Sequence, residues 1–399
     1  MNQTQTQEKF DYLAKSFAAI TVDDIEVYAN GDAPNGKYYR TYNQREALAA
    51  IPEARTNRII NKVCDDLGIQ YKYGNTWRVN QLEINQIKEF FNSKRKDASQ
   101  NKKPTQAQIV MIGILKGGVG KTATATMLAT GIASLPSKIY KVLVIDLDPQ
   151  KTASSQLVPN MKANEISIGD LMMDDSDDDT FKIKLDKSIK KTNFPNLDVI
   201  TSSDRDRQYD IYVRSMEQAA DKAGKEYNSY KDLKRVTDAL KSRYDIIIID
   251  TPPHFTASNT AAHYVSDHLI MPVKPSEYDW DSAGVYMSFL SRTYGVIKYL
   301  GHQGFKSTKL LISSISVNSN AEARTAHKLR LAAGIENCFT ASIPRSDAII
   351  SCAEQRCTIF DISVSEFDGT KKSLMKAQEA GAALVNEFEF MISDANKEL

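Results

Sequence analysis

One stretch constrains this chain more than any other: residues 109–122, IVMIGILKGGVGKT. An apolar run feeds a turn with glycine at 117, 118 and 120, and an Ala/Thr-rich helical stretch follows at 123–133. Glycines let the backbone turn without Cβ clashes, so successive N–H groups can face one anion. The start of the helix adds its partial positive charge. Gly117, Gly118, Val119, Gly120 and Ala123 form the cradle. Lys121 would reach the β- and γ-phosphates of a nucleotide, and Thr122 would offer its hydroxyl to Mg²⁺. The spacing departs from the common GxxxxGK[ST] pattern, because Leu115 stands in place of the first glycine and a second lysine, Lys116, precedes the turn. The pattern favours nucleotide binding over a glycine-rich turn with incidental lysines.

Two more runs end in carboxylates. Residues 141–150 read KVLVIDLDPQ, and residues 245–253 read DIIIIDTPP. Each is an apolar run that delivers Asp146 and Asp148, or Asp250, at its C-terminal end. Further β-rich runs lie at 197–201, 268–273, 310–317 and 339–343, with helical patterns between them, for example at 229–241 and 321–333. Near-continuous apolar runs suit strands buried on both faces. The alternation predicts an α/β, doubly wound, mostly parallel sheet. In such a sheet ligands collect outside the carboxyl ends of the strands. Three strands then aim Lys121, Asp146, Asp148 and Asp250 at one crevice. Any one of these acids could cap the following helix. Together beside the glycine loop they fit Mg²⁺, which is held by few protein groups plus phosphates and water. A last helix, 371–392, places Leu374, Ala377, Leu384, Val385, Phe388 and Ile392 on its packing face, and the acidic run 174–179 (DDSDDD) reads as a solvated loop.

Composition removes several other classes. Among 399 residues, no window approaches the ~20 apolar residues of a membrane-spanning helix, and the polar start is unlike a secretory signal. The four cysteines (64, 338, 352, 357) form neither a CxxC pair nor a zinc-spaced cluster. The expectation is a reducing, cytoplasmic setting.

The formal charge is only +1, yet between Lys37 and Lys103 there are 14 basic and 7 acidic residues. Concentrated positive charge suits a polyanion partner, although ordinary surface charge accounts for it equally well. The segment itself is more specific. Asn43 followed by Glu46 reads as a capping box opening a helix with Ala47, Leu48 and Ile51 inward. Pro52 suits the first turn of a second helix and Gly68 its end. On that helix Ile59, Ile60, Val63 and Leu67 would form a core stripe. Arg55, Arg58 and Lys62 lie on another face, with Asn57 and Asn61 nearby. Arg can pair with guanine and Asn with adenine, while Lys holds phosphates. Two alternating runs joined by Gly74 and Asn75 then predict a hairpin carrying Lys72 and Arg78. Helix, turn, basic helix and hairpin predict a winged helix-turn-helix that binds DNA. A solvated basic face is the competing account of the helix taken alone. The division expected is an N-terminal helix and linker at 1–36 (a possible dimerisation element), the DNA-binding unit at 37–93, a linker at 94–108 and the nucleotide-binding domain at 109–399.

KGGVGKT, DLDPQ and DTPP together resemble the deviant Walker A, switch and Walker B motifs of ParA-type partition ATPases, in the P-loop branch that also holds MinD and the nitrogenase iron protein. The resemblance covers most of residues 109–399, and the N-terminal module resembles that of the long ParA branch. It implies an Mg²⁺-dependent ATPase with weak basal turnover that segregates a plasmid or other low-copy replicon. Lys116 would reach across a homodimer to the partner's phosphates, and Asp148 would orient the attacking water. Thr122, Asp146 and Asp250 would serve the metal; Asn318, Pro344 and Arg345 would frame the adenine. It further implies a ParB-type centromere-binding partner, nucleoid association through nonspecific DNA and repression of its own operon, with ADP favouring the operator. Arg345, Arg356, Lys371, Lys372 and Lys376 are candidates for the nonspecific DNA surface. A MinD-like membrane tail is disfavoured, because residues 387–399 hold four acids and one lysine. The alternative is a repressor that senses ATP or ADP and has no segregation role.

Overall fold

The computed structural model describes residues 3–94, 104, 106–136 and 138–394. Most of the expected linker at 94–108 lies outside the described residues.

The chain opens with α1 (Gln3–Tyr28), on which Phe10, Tyr12, Phe17 and Ile20 are exposed. The next unit runs β1 (Thr41–Tyr42), α2 (Gln44–Ala50), a 3₁₀ turn at Pro52–Ala54, α3 (Asn57–Leu67), β2 (Lys72–Tyr73), β3 (Thr76–Trp77), β4 (Val79–Asn80) and α4 (Gln81–Lys94). Asn43 and Glu46 close the expected capping box on α2, and Gly68 ends α3 at φ 67°. Pro52 does not open the second helix. It starts the separate 3₁₀ turn, Arg55 leaves that turn at φ 53°, and Thr56 caps α3 through the N–H of Ile59 at 3.3 Å. Arg55 therefore stands before α3 rather than on its face. The core stripe also differs: Ile60, Val63 and Cys64 are buried, whereas Ile59 and Leu67 are exposed. β1 pairs with β4, and β2 with β3, both antiparallel.

The larger unit comprises β5 (Gln108–Ile112), α5 (Lys121–Ala133), β6 (Val142–Asp146), α6 (Thr152–Leu157), α7 (Ile168–Met172), α8 (Asp178–Ser188), β7 (Ile189–Lys191), β8 (Leu197–Ile200), α9 (Tyr209–Lys222), α10 (Tyr230–Leu240), β9 (Ile246–Asp250), α11 (Ala257–Val265), β10 (His268–Val273), α12 (Glu277–Tyr299), β11 (Ser307–Ile315), α13 (Asn320–Ala333), β12 (Cys338–Pro344), α14 (Asp347–Glu354) and α15 (Lys371–Asp394). One eight-stranded sheet has the order β12-β11-β10-β5-β9-β6-β8-β7, parallel throughout except for β7 at one edge. The α/β class and its seven apolar runs match expectation; the short antiparallel β7 was not foreseen. The run at 174–179 is no free loop, because Asp177 caps α8 and Asp174 pairs with Lys184.

α5 and α15 share one face of the sheet. All six expected packing residues of α15 are buried, the larger ones worth roughly 1.5–3 kcal/mol each. Their approach requires glycine at 131, where a Cβ would lie 2.3 Å from Val385 Cγ2. At the β12 edge, Glu387 of α15 accepts the N–H groups of Thr340 (2.7 Å) and Ala341 (2.8 Å), which occupies donors an edge strand otherwise exposes.

The segment at 30–36, read from sequence as a linker, is seated on the larger unit. Asn35 is fully buried, and its amide donates to Leu157 O (2.8 Å) and Asn193 Oδ1 (3.1 Å). The adjacent Lys37 is buried against Asp361. Farther along, Lys88 of α4 donates to Leu135 O at 2.7 Å, just past the C-terminus of α5. Burial pushes this lysine down to about 8.

Candidate nucleotide site

The site grows from three neighbouring strands. β5 pairs with β9 and β9 with β6, and the register sets Ile112 opposite Asp250 and Asp146 opposite Asp250. The two acids therefore end adjacent parallel strands side by side, and both are fully buried. Burial raises both above the ordinary carboxylate range, and each also feels neighbouring carboxylates.

Beyond β5 the chain turns through the glycine loop. Gly118 (φ 72°) and Gly120 (φ 89°) adopt the left-handed conformation that L side chains rarely take. Val119 is buried, and its carbonyl accepts Ser313 Oγ at 2.7 Å, tying the loop to β11. α5 begins at Lys121 without a side-chain cap. Its first amides are thus left for an anion, as helix N-termini allow. Lys121 is buried, and its ammonium donates to Lys116 O at 2.7 Å. Burial lowers its pKa, against the opposing pull of Asp250 and Asp148.

The acids differ in how they are engaged. Asp146 accepts the N–H of Asp148 (3.0 Å) on one oxygen, and the N–H (2.8 Å) and Oγ (2.6 Å) of Ser154 on the other. Asp148 accepts the N–H of Gln150 at 2.9 Å. Asp250 Oδ2 accepts Thr122 Oγ1 at 2.7 Å, while its buried Oδ1 has no hydrogen-bond partner. A buried, unmatched carboxylate oxygen beside a threonine hydroxyl fits a divalent cation. Asp146, with both oxygens taken by protein donors, braces the turn that carries Asp148. Among the described residues no group of three or more His, Cys, Asp or Glu could hold a metal. A cation here would therefore rely on Thr122, Asp250, phosphate oxygens and water. Ser154, which links Asp146 to the backbone of Ser202 (2.9 Å), was not singled out in the sequence; only its place on the helix after the carboxylate run hinted at it.

Lys116 points elsewhere. Its ammonium pairs with Asp279 at 2.7 Å and donates to Tyr278 O at 2.9 Å, at the start of α12. Within one chain it is folded back on its own surface.

At the same sheet end, the β11 and β12 exits bring exposed Asn318 and Arg345, with half-buried Pro344, into one region. The Arg345 N–H donates to Ile315 O (2.8 Å), and its guanidinium pairs with Glu322 (2.9 Å). Arg58 and Lys62 are exposed on α3, while Lys72 and Arg78 sit on or beside the hairpin, over the rings of Tyr71 and Tyr73. Lys371, Lys372 and Lys376 are exposed at the start of α15, whereas Arg356 (φ 56°) is half-buried in a cleft with Lys151 and Arg205.

The sheet order, the glycine loop and the strand-end acids together define an α/β fold of the P-loop class. The family described as an AAA domain matches residues 107–299. Plasmid partition protein A of Escherichia coli is 25% identical over 301 residues, covering 73% of this chain and 74% of that protein. A solved partition protein covers 96% of this chain and 99% of its own length, with a TM-score of 0.66 at 20% identity. A putative plasmid partition protein from Borrelia burgdorferi, bound to AMPPNP, covers 70% of this chain and 99% of its own length, with a TM-score of 0.51 at 20% identity. The chain is thus similar to plasmid partition proteins in sequence and to a solved partition protein in fold. Among the described residues no helix is long and apolar enough to cross a membrane.

Proposed function

We propose that this chain is an Mg²⁺-dependent ATPase that drives partition of a plasmid or low-copy replicon. The observation that carries it is the unmatched, buried Asp250 Oδ1 beside Thr122, at the mouth of a glycine loop that ends in a buried lysine. Phosphoryl transfer requires charge neutralisation and an in-line water rather than a covalent nucleophile. Thr122 and Asp250 would hold the cation, which would supply positive charge to the phosphates. Lys121 adds positive charge from the loop, and the amides at 117–123 hold the phosphates. Asp148, on the turn braced by Asp146, orients the attacking water. Asn318, Pro344 and Arg345 frame the base.

The likeness to plasmid partition proteins supports a homodimer closed by ATP, in which Lys116 leaves Asp279 for the partner's phosphates. The exposed aromatic side chains of α1 support contact with a second copy. In this reading the dimer rides nonspecific DNA on the nucleoid in the cytoplasm, and a ParB-type centromere-binding protein accelerates its turnover. Lys371 and Lys372 sit in the first turn of α15, where the macrodipole disfavours cations, so their placement suits a polyanion better than helix stability, and Lys376 lies one turn on. Arg356 contributes from the neighbouring cleft. The unit at 37–93 binds operator DNA through Arg58 and Lys62 of α3, Arg55 before it, and Lys72 and Arg78 of the hairpin.

Phosphate release with and without Mg²⁺, DNA and the centromere-binding partner tests this function. Turnover that needs Mg²⁺, rises with both partners and vanishes in Lys121→Ala is the expected result. No turnover under any condition, with ADP and ATP both bound, would leave a nucleotide-sensing repressor instead.

A further inference from the structure

Asn61 lies on α3, three residues after Arg58, and is hydrogen-bonded to Gln44 and Trp77, two residues that line an open groove with Asn57, Asn75 and Thr76. Its side-chain oxygen accepts two hydrogen bonds, from Trp77 Nε1 on the hairpin at 2.9 Å and from Gln44 Nε2 on α2 at 3.1 Å. The orientation follows from chemistry. An indole N–H can only donate, so the amide atom facing Trp77 must be oxygen. Gln44 must then turn its own NH₂ toward the same atom. Both lone pairs of Asn61 Oδ1 are thereby occupied, and the side chain has only its NH₂ donors to offer.

Bidentate reading of adenine needs one donor, for N7, and one acceptor, for the N6 amino group. Asn61 cannot supply the acceptor. Guanine presents two acceptors, N7 and O6, in the major groove. We infer that Asn61 is a specificity-determining residue that reads a guanine, because the hairpin and α2 lock its amide as a pure donor. This rests on the operator-binding role proposed above. It replaces the Asn–adenine pairing expected from sequence, and the exposed neighbours Arg58 and Lys62 are likewise donors only. Trp77 and Gln44 act as positioning residues.

The test is selection from a random duplex library by the full chain with ADP, followed by binding of the enriched duplex with 7-deazaguanine placed at each guanine in turn. For the wild-type chain, one guanine should lose roughly tenfold or more in affinity when N7 is removed. In Asn61→Ala that same guanine should become indifferent to the replacement, while others keep their sensitivity. Trp77→Phe, which removes the indole N–H and keeps a ring, should admit adenine at that position. Unchanged sensitivity at every guanine in Asn61→Ala overturns the inference. So does a uniform loss across sequences with a shallower salt dependence, which marks a phosphate contact. A wild-type chain that enriches no sequence overturns the operator-binding role itself, a separate failure.

Discussion

Replacing Asp250 with Asn should make the nucleotide-free protein more stable while removing its response to Mg²⁺. Asp146 and Asp250 face each other in register at the ends of adjacent strands, both fully buried. Neighbouring strands lie about 4.8 Å apart. At an effective dielectric of about 20, two like charges at about 5 Å repel by ~3 kcal/mol. Lys121 offsets part of this, since it attracts Asp250. A net gain of roughly 1–3 kcal/mol is therefore expected for Asp250→Asn near neutral pH. For a chain of 399 residues, each kcal/mol is worth about 1 °C in Tm. The sign with pH is equally definite. Both carboxyls titrate above their ordinary range in the folded protein. Between the unfolded and folded pKa values the folded state binds more protons, so the apo wild type loses stability as pH rises through that window. Asp250→Asn should show a shallower loss. Thermal melts of both proteins from pH 5 to 8, with and without Mg²⁺ and a slowly hydrolysed ATP analogue, supply the comparison. A lower Tm for the apo variant, or an undiminished Mg²⁺-dependent rise, refutes the reasoning.

Lys116→Ala should cost the single chain under about 1 kcal/mol, because its pair with Asp279 is partly exposed. It should retain nucleotide binding yet weaken the ATP-dependent dimer in sedimentation velocity; an unaltered dimer would refute the trans role. Lys37→Met leaves the buried Asp361 carboxylate without its cation, though Asn193 and Thr358 still donate to it, and should cost up to about 3 kcal/mol in chemical denaturation. Adding Asp361→Asn should recover part of that loss, and strict additivity would contradict the pairing. Lys88 titrates in the fold near 8, below its unfolded value. Between about pH 8 and 10.5 the unfolded chain binds more protons, so stability should rise with pH relative to Lys88→Met, by at most ~3 kcal/mol. Parallel pH curves for the two proteins would contradict the burial of this ammonium.

The features legible in sequence are those written in local signals. Apolar runs announced the seven parallel strands, glycines announced the loop at 117–120, and Asn43 with Glu46 announced the start of α2. The acids at 146 and 250 were placed by their strands, so their meeting followed from the sheet. What escaped depends on partners far along the chain. Asn35 and Lys37 look like parts of a turn-rich linker, and only Leu157, Asn193 and Asp361 make them buried anchors. Pro52 carries the same local preference for a 3₁₀ turn as for a helix start, and the left-handed Arg55 decided between them. Asn61 looked free to read adenine until Trp77 and Gln44 claimed its oxygen. The different hydrogen bonding of Asp146 and Asp250 was also invisible, because it depends on Ser154 and Thr122.

The most direct measurement is a crystal structure grown with Mn²⁺ in place of Mg²⁺ and a non-hydrolysable ATP analogue, with the metal located by anomalous scattering. Triphosphate oxygens should lie on the amides of residues 117–122, with the metal signal beside Thr122, facing Asp250 directly or through one water. A nucleotide bound elsewhere, or a metal signal remote from Asp250, would contradict this arrangement.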